Sequence, residues 1–148
     1  MKSLIKNLTT TATGLDTLPL RVGAGAIFAA HGAQKLFGWF GGYGLEGTAG
    51  WMTSIGLEPG LLMATAAGGA EFIGGLLLIA GLLVRPAALL LAITMIVAIV
   101  TVHWENGLFM SNNGYEFGLA LLVISVGLVF RGAGSFSVDR ALQAQLAT

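Results

Sequence analysis

The sequence predicts an all-α polytopic membrane protein, with four transmembrane helices in an up-down-up-down bundle. Three observations lead there. Of 148 residues only 9% are charged while 55% are hydrophobic, and the mean hydropathy is +0.85. A water-exposed domain usually carries about 25% charged residues, so something other than water must solvate most of this surface. Crossing a bilayer takes a helix of about 20 residues, and apolar runs of roughly that length lie at 20–40, 61–83, 86–104 and 115–130. Finally, the 23 glycines have no collagen-like period and sit inside the apolar runs, as expected of helices that approach closely through small residues. Zero net charge leaves no basic stripe for nucleic acid. The absence of cysteine removes disulfides, thiolate metal sites and iron–sulfur clusters held by this chain.

Before Thr17 the chain has two lysines and no apolar core, which reads as a polar cytoplasmic leader rather than a signal peptide or a further span. The first span is the least pure, containing Arg21, His31, Gln34 and Lys35. In the connection that follows, Leu45, Ala49, Trp51, Met52 and Ile55 recur at three-to-four spacing, predicting a short helix at the interface or over the bundle. Glu58-Pro59-Gly60 turns the chain back. The second span is small and apolar except for Glu71, and the third opens at Pro86 and closes at Trp104. Leu108, Phe109 and Met110 in the next loop are expected to dip toward the bundle mouth. The fourth span begins at Tyr115-Glu116 and stops at Arg131-Gly132, and the remainder predicts a loop and a short helix capped by Ser137. With no repeat and no linker, residues 1–148 read as one domain.

Lys2, Lys6, Arg21, Arg85, Arg131 and Arg140 fall on one side of this topology, and only Lys35 lies toward the other. The excess of Lys and Arg in cytoplasmic loops then puts both termini in the cytoplasm, with Arg21 and Arg85 snorkelling to that interface. Small residues at Gly25, Ala29 and Ala33, and at Ala66, Ala70 and Gly74, predict the seams between the first two spans. Leu89, Ile93, Ile96, Val97 and Val100 make the third span bulky and lipid-facing.

An ionisable group in mid-membrane costs about 2.5–3.5 kcal/mol on insertion scales, so its presence marks a site. Glu71 lies roughly 15 Å from the outer end of its span at about 1.5 Å per residue, and His31 about as deep. Antiparallel neighbours can therefore bring them together. Gln34 and Lys35 sit one turn above His31 on the same face, His103 ends the third span and Glu116 begins the fourth. These six residues, with Asn113 and Tyr115 nearby, predict a polar funnel opening outward, with nothing comparable in the inner half. Each has a plainer reading: a His31–Glu71 pair fixing helix register, a snorkelling Lys35, an interfacial His103 beside Trp104, and Glu116 complementing a helix N-terminus. Bis-histidine haem requires two His at one depth, whereas His103 is expected well above His31. No spacing supports a metal site.

The stretch RVGAGAIFAAHGAQKLFG at 21–38 resembles the opening signature of the DoxX family of small four-span membrane proteins. The likeness continues through GGAEFIGGLLLIAGLL at 68–83, VHWENGLF at 102–109, NGYEF at 113–117 and GAGSFSVD at 132–139. The resemblance implies the four-span fold and a subunit or partner of a membrane redox system, such as thiosulfate:quinone oxidoreductase or an oxidative-stress complex with partner proteins. The expected function is therefore a quinone- or small-molecule-binding component in a bacterial inner membrane, with redox proteins and further copies of the chain as expected partners. A proton-coupled carrier of a small solute or lipid, and a structural subunit without chemistry, are the alternatives.

Overall fold

A computed structural model of the chain describes Asn7, Thr10, Thr11 and residues 14–146. Lys2, Lys6 and most of the expected leader lie outside the described residues. Within them there are six α-helices and no strand: α1 Thr17–Phe37, α2 Gly44–Ser54, α3 Gly60–Ala80, α4 Val84–Ala98, α5 Glu116–Arg131 and α6 Val138–Leu146. Past Ala98 the chain continues as a π turn, Ile99–His103, and a 3-10 turn, Trp104–Asn106.

The long helices fall on the four apolar runs, with ends set by local chemistry. Gly38 and Gly81 adopt left-handed φ values of 72° and 69°, a conformation that lets glycine end a helix without a Cβ clash. They stop α1 and α3 about three residues before the apolar runs end. The segments Gly60–Ala80 and Val84–Asn106 are long and apolar enough to cross a membrane. α1 is as long but carries its four polar residues, and α5, with 16 residues, reaches about 24 Å.

α1 and α3 form the most extensive contact, in antiparallel register. A Cβ on Gly32 would strike the backbone of Phe72 and Gly68, and one on Gly75 would lie 2.5 Å from the Ala29 nitrogen. The seam thus runs through Gly25, Ala29 and Gly32 on one side and Gly68 and Gly75 on the other. Gly74 turns instead toward Leu91 of α4, and Ala66 is exposed. This corrects the predicted 66–70–74 line by about one residue. α4 packs against α5 through Ile99 and Gly118, and the core joins Phe28, Leu78, Leu91, Leu121 and Leu128. Leu89, Ile93, Ile96, Val97 and Val100 are all exposed, as a lipid-facing flank requires. α2 forms as predicted, burying Met52 and Thr48, and Gly60 lies against its Ala49 and Thr53.

The end of the bundle near the termini departs from expectation. Arg21 does not snorkel: it is 2% exposed and donates to the carbonyls of Ala133, Leu78 and Ile79 at 3.0, 3.0 and 2.6 Å, and to that of Phe136. Residues after α5 fold back over the α3–α4 hairpin and bring these acceptors to it. Asp139, equally buried, accepts from the Leu83 and Val84 amides at 2.8 and 3.1 Å, serving the free N–H groups at the start of α4. Ser137 caps α6 by accepting from the Arg140 amide, as predicted. A polar cluster does therefore occupy this end, and every contact described in it is structural.

Candidate functional site

At the opposite end, where the two longer connections lie, the helices enclose a cavity of about 530 Å³. α1 contributes Phe28, His31 and Lys35, and α3 contributes Ala67 and Glu71. Trp51, Met52 and Leu57 roof it from α2 and the turn beyond. α4 and its π turn supply Thr94, Val97, Thr101 and His103, while Met110, Asn113, Phe117 and Leu121 close the α5 side. The size suits an organic molecule rather than a bare ion, and mostly apolar walls with a few converging polar groups are the usual make-up of a ligand pocket.

The α1–α3 register decides the polar geometry. With Gly32 against Gly68 and Phe72, Lys35 stands beyond Glu71 and its four-carbon stem reaches back, placing Nζ 2.6 Å from Oε2. The Glu71 side chain is 5% exposed and that of Lys35 26%. The anion thus sits in the wall and the cation at its edge. The acidic partner expected for His31 is accordingly taken by Lys35, one helical turn away. The His31 ring faces the cavity near Phe117, at a centroid distance of 6.1 Å.

His103 reaches the cavity because the helix widens below it. At about 100° per residue an unbroken α-helix would turn His103 about 120° away from Leu91, the core-facing residue of α4. The π turn reduces that rotation, and Nδ1 then meets the Asn113 carbonyl at 2.8 Å. Such turns recur at functional sites.

His31, Lys35, Glu71, His103 and Asn113 therefore meet on one cavity. Gln34 is set aside from it: the side chain donates to the Phe40 carbonyl at 3.3 Å and lines a smaller cavity of about 270 Å³ that shares Lys35, Tyr43 and Trp51 with the first. Glu116 faces neither cavity, and its carboxylate accepts from the Met110 amide at 2.6 Å, pinning the loop before α5. Tyr115 stacks on Trp104 at 5.4 Å. Among the described residues no three His, Asp or Glu side chains gather to hold a metal ion.

Sequence reasoning expected a short helix at the interface or over the bundle but did not count its Trp51 and Met52 in the site, and it missed the Thr94, Val97 and Thr101 wall. The two α2 residues had a signal, since they were on the predicted amphipathic helix. The wall had a weak one, small side chains at 94, 98 and 101 on one face of a bulky helix.

The DoxX family model matches residues 17–104, which include His31, Lys35, Glu71 and His103. A Bacillus subtilis protein named "Putative oxidoreductase CatD" is 38% identical over 125 residues, covering 84% of this chain and 85% of its own. A Haemophilus influenzae protein named "Uncharacterized protein" is 33% identical over 75 residues, 51% of this chain and 50% of that one. No solved structure matches the chain.

Proposed function

Since the chain belongs to the DoxX family, we propose that it is a four-span protein of a bacterial plasma membrane, with both termini in the cytoplasm, whose cavity binds quinone or a related small molecule for a membrane redox system. The family carries a lipid setting with it, and the name of the relative matched over the longer stretch supports a link to oxidoreduction. For α1 the four-span reading is supported by where its polar groups go: Arg21 to backbone carbonyls, His31 and Lys35 to the cavity. For the orientation it is supported by Arg85, Arg131 and Arg140 lying at the end near the termini.

The observation that carries the assignment is the Lys35–Glu71 pair in the cavity wall. Withdrawing two charges from water costs several kcal/mol per ion, and apolar residues of similar volume often replace a buried pair without loss of stability. Packing alone therefore gives little reason for it, whereas a polar ligand head does. The Lys35 ammonium and a His31 ring N–H are donors for a carbonyl oxygen, and Glu71 can hold a proton beside them. Reduction of a quinone to the hydroquinone takes two electrons and two protons. His31, Lys35 and Glu71 serve the proton side, and a partner protein's redox centre supplies the electrons.

The test is the double variant Lys35→Met/Glu71→Met, which removes both charges and leaves neither orphaned. Thermal unfolding is expected to stay near that of the parent while affinity for a benzoquinone, titrated in lipid nanodiscs, falls at least about tenfold, or 1.4 kcal/mol. Parent-like affinity in the double variant overturns the assignment. Proton-driven solute uptake by reconstituted vesicles, without quinone binding, would move it to a carrier.

A further inference from the structure

The wall of the cavity is not closed all the way round. On α4, Leu91 points into the core, and Ile99, at the start of the π turn, packs on Gly118 of α5. At about 100° per residue, Thr94 and Val97 lie on the flank of α4 opposite to Ile99, the side turned toward α3. Below, that side is sealed where Leu91 meets Gly74. Toward the connecting loops it is not: Val97 lines the cavity and, at 47%, is about as exposed as Ile93 and Ile96 at 51% and 49%, and around the helix it lies between the outward Ile93 and the cavity-lining Thr94. Counted at about 1.5 Å per residue from the contact of Leu91 with Gly74, Val97 comes level with the small Ala67 of α3, which lines the same cavity together with Trp51 and Leu57.

The chemistry of this gap is apolar although two threonines border it. Thr94 donates to the Leu90 carbonyl at 3.0 Å and Thr101 to the Val97 carbonyl at 2.8 Å, so both hydroxyls are satisfied within α4. With Val97 and Ala67 they leave a passage with little to offer a water molecule. The donors and acceptors of the cavity are on other side chains, His31, Lys35 and Glu71.

We infer that the cavity opens sideways into the lipid between α3 and α4, and that its ligand is a lipid-dissolved molecule whose polar head reaches His31 and Lys35 while its hydrocarbon tail lies in the gap between Val97 and Ala67. This rests on the reading of α3 and α4 as membrane spans around a ligand site. A soluble head group without a tail fills only part of such a site and forfeits the apolar contact.

The native lack of cysteine makes the opening directly measurable. In proteoliposomes, Ala67→Cys is reacted with a maleimide bearing a long alkyl chain and, separately, with a membrane-impermeant sulfonated maleimide. The alkyl reagent is expected to label it, and adding Val97→Trp or Thr101→Trp to slow that labelling about tenfold. Leu90→Trp, on the same flank but outside the cavity, is expected to leave the rate unchanged, as is labelling of a lipid-facing Ile93→Cys in each background, which also reports that the variants fold. Unslowed labelling in both Val97→Trp and Thr101→Trp, or labelling by the sulfonated reagent alone, overturns the side opening. The labelling needs no quinone, so the two readings fail separately. Slowed labelling in a protein that binds no quinone keeps the opening and removes the quinone; quinone binding with unslowed labelling does the reverse.

Discussion

Asp139 and Arg21 show how much one side chain can hold in a membrane-family fold. The Asp139 carboxylate takes two backbone amides that otherwise have no partner, and Arg21 serves four carbonyls on two separate segments. Asp139→Ala leaves the Leu83 and Val84 amides unpaired, at about 1–3 kcal/mol for each buried donor. A clear drop in melting temperature in detergent micelles is expected. Arg21→Lys is not expected to rescue loss of the arginine, because a compact ammonium cannot reproduce a planar fork of donors. Burial pushes the Asp139 carboxyl above the ordinary carboxylate range, against the opposing pull of the two amides and of Arg21. A raised value means that the folded state binds the proton more readily than the unfolded one. Between the ordinary value of about 4 and the raised folded value, stability falls as pH rises, and above that window it levels off. The melting temperature of the parent minus that of Asp139→Asn should therefore decline with rising pH and then plateau; a difference that grows with pH contradicts this. The sequence displayed Arg21 plainly but not its partners. Its acceptors belong to residues 78–79 and 133–136, and no hydropathy pattern signals that a glycine-rich tail folds back over a hairpin.

For pairs of elements, the decisive feature is the α1–α3 seam, because it sets which side chains meet across the cavity. Gly32→Ala and Gly75→Ala drive a methyl into a facing backbone, which cannot yield as a side-chain tip can. Overpacking of this kind costs about 1–3 kcal/mol. Gly74→Ala meets the Leu91 side chain at 3.1 Å, a neighbour able to shift, and Gly69→Ala meets nothing within 4 Å. The expected order of thermal stability is Gly69→Ala highest, then Gly74→Ala, then the two seam variants. Gly32→Ala should also disturb ligand affinity, since it displaces Lys35 relative to Glu71. Equal stability across the four would remove the seam's role. Helix positions were legible because apolar length and glycine stops are local properties. The seam's small-residue character was legible too, but its phase was not: glycine and alanine are so frequent on α3 that several faces look equally able to pack. The pairing of Lys35 rather than His31 with Glu71 follows from that phase, and the π turn that presents His103 has no recognised sequence mark.

At the level of the whole molecule, charge is scarce enough that its distribution can be tested residue by residue. Glu46 on α2 and Arg140 on α6 are both exposed and stand at opposite ends of the bundle. In the proposed orientation, which follows the positive-inside bias of Lys and Arg, the α6 end lies in the cytoplasm. That bias survives the loss of Arg21, whose charge is spent on internal carbonyls and no longer faces a lipid headgroup. Arg85, which donates to the Thr10 carbonyl, and Arg131, paired with Asp16 at 2.6 Å, remain at that end with Arg140. In intact cells, a membrane-impermeant maleimide is therefore expected to label Glu46→Cys at once and Arg140→Cys only after the membrane is broken. Four spans require this opposition, since an odd number of crossings separates the two residues. Labelling of both from outside would mean that α5 fails to cross, the helix between them whose length falls short of a span. The reverse pattern would keep the three crossings of α3, α4 and α5 and invert them, turning the cavity end of the bundle toward the cytoplasm and any electron-donating partner with it.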